Sequence, residues 1–208
     1  MNNTCSLLCR QMRHLDTKAR KPYQEECQIL IERELRHAIC DGISVFRLGL
    51  DSGTSLWVGQ SLLQLRDVYY PHIQIHCYLA AETQANCWQE DLRECYFDIL
   101  AQSDKALTLA PHYKLESKRA LVQTMLRGSK RFLLVHDQVA GGFFDGALLY
   151  AQNLGIEAHI IQLLEGPYVP FRLCKKPGVS SFVQSSKRHT RSTYSPKLSR
   201  GKSASKRA

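Results

Sequence analysis

The sequence predicts an α/β fold, a mainly parallel sheet with helices on both faces, followed by a disordered basic C-terminal tail. Three observations carry this prediction. Short apolar runs that read as strands alternate with stretches of helical periodicity across the first 165 residues, the pattern of a parallel sheet whose crossovers are helices. Two glycine-bearing loops, one holding Gly49 and Gly53 and the other Gly141 and Gly142, each lead from such a run into a helical stretch. Backbone N–H groups at such a turn can approach a phosphate at the positive end of the helix. Finally, the composition changes at Gly166, beyond which come eleven Lys or Arg and no acidic residue.

In chain order, residues 4–9 (TCSLLC) read as the first strand. Lys21-Pro22 opens a helix to about Cys40, since proline costs least near a first turn. Its inward stripe is Cys27, Leu30, Ile31, Leu35, Ala38 and Ile39, and Asp41-Gly42 stops it. Residues 43–48 form a second strand, the loop 49–53 follows, and a helix runs over 54–68 until Tyr70-Pro71 breaks it. A third strand covers 73–79, a helix 88–102, a short strand 106–109 and a helix 114–127. The continuous apolar run from Phe132 to Val135 makes 132–136 a strand buried on both faces. After Gly141-Gly142, the spacing of Phe144, Ala147, Leu148 and Ala151 is helical. A last strand takes 156–163.

The formal charge of +9 is unevenly spread, for residues 1–165 sum to about −2 and the tail supplies the rest. The domain reading is therefore a body at 1–165 and a tail at 166–208. The tail interrupts Ser, Lys and Arg with Pro167, Pro170, Pro177 and Pro196, and it buries too little apolar surface to offset its ordering entropy. Tyr168, Val169, Phe171 and Leu173 are expected to pack back on the body. The tail's cations can meet nucleic-acid phosphates, meet another acidic partner, or keep the protein soluble. Eight cysteines follow no recognisable secretory leader and include no C-x-x-C pair. Cys5, Cys27, Cys40 and Cys77 sit in apolar patterns, so buried reduced thiols are expected and no metal site. No apolar run approaches the ~18 residues of a membrane span, and a cytoplasmic protein with no membrane contact is expected.

Each candidate residue carries two readings. Gly141-Gly142 contacts a phosphate, or is a tight turn needing positive φ. Asp51 and Ser55 bond a ribose hydroxyl, or cap the helix that begins at Thr54, with capping favoured. Arg10, at the end of the first strand, faces a phosphate or forms a surface ion pair. His136 and Asp137 end the central strand at the cleft, but the histidines form no nucleophilic constellation with Ser or Cys. Trp57 and Trp88 read as core residues.

Several segments match a known family in order. Gly49, Gly53 and Trp57 lie in F-R-L-G-L-D-S-G-T-S-L-W, followed by Gln84, Trp88, Arg93 and Tyr96, then Asp137 and Gly141-Gly142. Over about residues 4–163 the chain resembles the Rossmann-like SLOG superfamily, which includes the DNA-processing Smf/DprA proteins and the Lonely Guy enzymes. Within it, the resemblance is to the small bacterial branch containing YpsA. The departures fall on polar positions. Of the family's Thr-Gly-His-Arg only Arg10 remains, Ser55 replaces the loop Asp, and Gln60 replaces the helix Glu. Leu121-Val122 falls where the family has Arg-Asn, with Arg119 nearby as a substitute, and Phe143 replaces the hydroxyl after the glycine pair.

The resemblance implies binding or sensing of a nucleotide or nucleotide derivative, with altered ligand chemistry. The implied ligand residues are Arg10, Gly49, Gly53, Ser55, Asp137, Gly141, Gly142 and Phe143, with no catalytic residue and no cofactor. A nucleotide-processing hydrolase like the Lonely Guy enzymes is an alternative. It would need Asp51, Asp137 or Asp145 near the ribose and Arg10 or Arg119 on the phosphate. A DNA-associated protein acting through the tail is another.

Overall fold

The computed structural model describes residues 3–9, 17–137 and 142–163. The expected tail, Arg10 and Gly141 lie outside these residues. Six strands, β1 (Thr4–Cys9), β2 (Val45–Gly49), β3 (Gln74–Leu79), β4 (Lys105–Thr108), β5 (Arg131–Asp137) and β6 (Glu157–Leu163), form one sheet. Between them run α1 (Thr17–Cys40), α2 (Thr54–Val68), α3 (Glu90–Gln102), α4 (Leu115–Leu126) and α5 (Phe143–Asn153). Strand order is β4-β3-β2-β1-β5-β6, and every neighbouring pair is parallel. This is the Rossmann-like α/β architecture that the alternating pattern predicts.

Side chains alternate across each strand, so the sheet feeds two cores. Cys5, Leu7, Phe46, Leu48, Ile75, Cys77, Leu133 and Val135 pack with α1, α2 and α3. On the other face, Leu8, Tyr78, Phe132 and Leu134 pack with Leu121, Val122 and Met125 of α4 and with Phe144, Ala147 and Ala151 of α5. The central strand β1 is buried at every position. Even Ser6 is enclosed, its hydroxyl donating to the Met125 carbonyl at 2.7 Å and meeting Ser129 Oγ at 2.7 Å.

The expected elements are all present, with shifted ends. α1 begins at Thr17 rather than at Lys21, so Pro22 lies inside the helix, beyond its first turn, where its missing N–H forfeits a hydrogen bond of the ladder. β2 begins at Val45 because Ser44 and Val45 both donate backbone N–H groups to the Asn3 carbonyl, which fixes where pairing starts. A short 3-10 turn at Glu82–Ala85 delays α3 to Glu90. Among the described cysteines all are free; Cys5, Cys27 and Cys77 are buried as expected, but Cys40, the last residue of α1, is exposed. No helix of the described residues is long and apolar enough to cross a membrane.

Candidate functional site

Strand order reverses at β1. The chain steps outward through β2 and β3 to β4, and α4 then carries it back to β5 on the far side of β1. Because all strands are parallel, their exits share one rim, where α/β folds place ligands. A pocket opens there with an empty volume of about 330 Å³, continuous with solvent. Leu8 and Cys9 of β1 and Gly49, Leu50 and Asp51 of the β2 exit line one part. Ala80 and Gln84 follow β3, and Tyr113, Lys118 and Leu121 come from α4 and its approach.

The β2 exit is shaped by its own backbone. Gly49 stands against α4: a Cβ there would meet Met125 Sδ at 3.2 Å and Leu121 Cδ2 at 3.3 Å. Its smallness therefore lets the helix approach the strand, whatever else it does. Gly53, at φ 81°, is the N-cap of α2, and no side chain caps that helix. The expectation that Asp51 or Ser55 caps it is thus corrected. Ser55 turns back on the loop instead, accepting the Asp51 N–H at 2.7 Å and donating to the Asp51 carbonyl. The Asp51 carboxylate accepts the Ser52 N–H at 2.8 Å. These bonds spend the local polar groups on holding the loop closed. The Thr54 hydroxyl is fully buried and has no hydrogen-bond partner among the described residues.

Gln84 fixes the loop to the next strand exit. Its Oε1 accepts the N–H groups of Ala80 at 3.0 Å and Ala81 at 3.3 Å, and its Nε2 donates to the Leu50 carbonyl at 2.7 Å. Tyr96, packed edge-on against Trp88 at 5.2 Å, is pushed up to about 12 by burial, with Cys77 adding and a hydrogen bond to Gln84 opposing. Trp57 is buried in the core, as expected. Burial, with the Asp51 charge adding, raises the thiol of Cys9 at the pocket wall far above the ordinary value, which disfavours the reactive thiolate.

Lys118 joins the two glycine loops. Its Nζ stands 3.2 Å from Asp51 Oδ2, 5.3 Å from the centre of the Phe143 ring and 6.0 Å from that of Phe144. Gly142 caps α5 at φ 57° with open space around it, and Phe143, the next residue, crosses Phe144 at 90°. The glycine there answers to backbone conformation rather than to crowding. His136 is half-buried on β5 with its ring 6.1 Å from Phe144. Asp137 ends β5, where the backbone alone is described.

The same region carries the family signature. Residues 17–161 match the family described as the YspA SLOG family, YpsA. The chain belongs to that family. A UPF0398 protein of Halalkalibacterium halodurans is 25% identical over 124 residues, covering 59% of this chain and 61% of the relative. A UPF0398 protein of Bacillus velezensis is 28% identical over 109 residues, covering 51% and 59%. The matched stretches thus span about three fifths of the length of these curated relatives.

Set beside the family pattern, the α4 cation is the main surprise. Leu121 and Val122, at the Arg-Asn position, are buried in the core, and Arg119, the expected substitute, is exposed. Lys118, one residue earlier, turns inward to the pocket. Tyr113 was likewise outside the expected set, and Gln84 carried no expected role. Of the expected ligand residues, Gly49 lines the pocket itself, Ser55 braces its loop, and Phe143 adjoins it through Lys118. Among the described residues no group of three or more His, Cys, Asp or Glu is placed to hold a metal.

Proposed function

We propose that the chain is a SLOG-type binding or sensing domain for a nucleotide or nucleotide derivative, held at the rim where β1, β2 and β3 end. The observation that carries the reading is the meeting of a carboxylate, Asp51, an ammonium, Lys118, and an aromatic rim residue, Tyr113, in one pocket. That set suits a ligand with hydroxyl, anionic and flat apolar parts. Family membership supports the same reading. So does the position beside the reversal of strand order.

A panel of nucleotides in a thermal-unfolding assay tests it. A ligand present at a hundred times its Kd stabilises the native state by about 2.7 kcal/mol, so at least one member of the panel should raise Tm by several degrees. Gly142→Asp, which sets a side chain and a negative charge beside Phe143, should shrink that rise. No rise with any nucleotide, or an equal rise in a folded Gly142→Asp variant, would count against the reading.

A further inference from the structure

We propose that Lys118 is the anion-recognising residue of this pocket, and that Asp51 is a built-in counterion which an anionic ligand displaces from it. The inference rests on the binding reading above and adds to it a residue that sets specificity. Lys118 is the single cation among the described residues that line the pocket, and Asp51 is its one hydrogen-bond acceptor among them. An ammonium carries three donors, so the group has capacity left. Its other neighbours are the faces of Phe143 and Phe144, which attract a cation but accept little from its N–H groups. The lysine is thus held in the pocket by contacts that leave it able to receive oxygen atoms.

Asp51 is arranged for the exchange. Its Oδ1 accepts the Ser52 N–H at 2.8 Å, so the carboxylate stays oriented when Oδ2 loses Lys118. The freed oxygen can then accept a hydroxyl from the same ligand. The ligand chemistry this describes is a phosphate with a neighbouring diol, as in a nucleoside monophosphate. Displacement costs little, because an ion pair with side chains 24% and 38% exposed is partly solvated already, and such pairs are worth a factor of about two to five.

The test is calorimetric titration of AMP and of adenosine, its uncharged counterpart, into the wild type, Asp51→Asn, Lys118→Gln and Lys118→Arg, each first confirmed folded by its denaturation midpoint. Asp51→Asn should raise the preference for AMP over adenosine by about two- to fivefold. Lys118→Gln should cut that preference at least tenfold, the scale of a charge-assisted hydrogen bond, and Lys118→Arg should retain most of it. An AMP preference unchanged or lowered in Asp51→Asn, or unchanged in Lys118→Gln, overturns the exchange while leaving nucleotide binding intact. Binding of neither compound by any of the four proteins overturns this inference, and the nucleotide panel decides the binding reading separately.

Discussion

Gln84 bonds the backbone at two strand exits, accepting two N–H groups after β3 and donating to one carbonyl after β2. Gln84→Ala leaves partly buried donors and an acceptor without partners, each worth about 1–3 kcal/mol if no water replaces the amide. Stability should fall by roughly the lower end of that range, read as a lower urea midpoint at unchanged m. The neighbouring Lys118 shows how far a residue's role can be seen in sequence. It lies three residues before Leu121 and four before Val122, on the stripe that α4 buries. A charge on an apolar stripe is a legible signal that something unusual faces it. What faces it, Asp51, lies 67 residues earlier and no local pattern names it. Asp51 and Ser55 fail differently: their types suit an N-cap, but Gly53 takes that position and their bonds close the loop instead.

α4 is the element that assembles the pocket, so what fixes it matters more than its own propensity. Its C-terminus is tied to the sheet. Arg47 Nη1 on β2 donates to the carbonyls of Met125 at 2.9 Å and Arg127 at 2.7 Å, and Ser129 adds its hydroxyl to Met125 at 2.9 Å. A guanidinium there also faces the negative end of the helix dipole. Arg47→Met keeps the stem and removes these bonds, and it should destabilise the protein by about 1–2 kcal/mol in denaturant unfolding. Elements of this kind were legible in outline. The apolar run around Arg47 marks a buried strand, and the strand is there. Its arginine made no sense locally, because the carbonyls that accept it belong to a helix the chain reaches only after two more strands.

At the scale of the whole molecule, the two rims of the parallel sheet differ in chemistry. The rim away from the pocket holds an ion cluster in which Arg131 reaches Asp41 at 2.9 Å and Glu157 at 3.2 Å. His159 Nε2 stands 2.9 Å from Glu157 Oε1. Burial alone would raise the Glu157 carboxyl, but His159 and Arg131 outweigh it and hold the group below its ordinary value. Its contribution to stability is therefore complete above the unfolded value of 4.5 and is lost as pH falls through the lower folded value. Glu157→Gln should be less stable than the wild type at pH 7, with the gap closing on acidification. Urea unfolding of both proteins at several pH values from 7 to about 3 reads this out, and a gap that stays constant would refute it. Half exposure of Glu157 keeps the effect modest.

The order of the strands has one more consequence, for how the chain reaches this state. β1 is the most enclosed strand, yet one of its partners is β5, with Cys5 paired to Arg131. Until β5 arrives, β1 presents an open edge beside Leu7 and Leu8, an invitation to pair with another chain. Long-range parallel pairing of this sort is slow to form. A nascent or refolding chain thus carries its stickiest edge through most of its assembly, and the same strand that anchors the finished protein is where aggregation would begin.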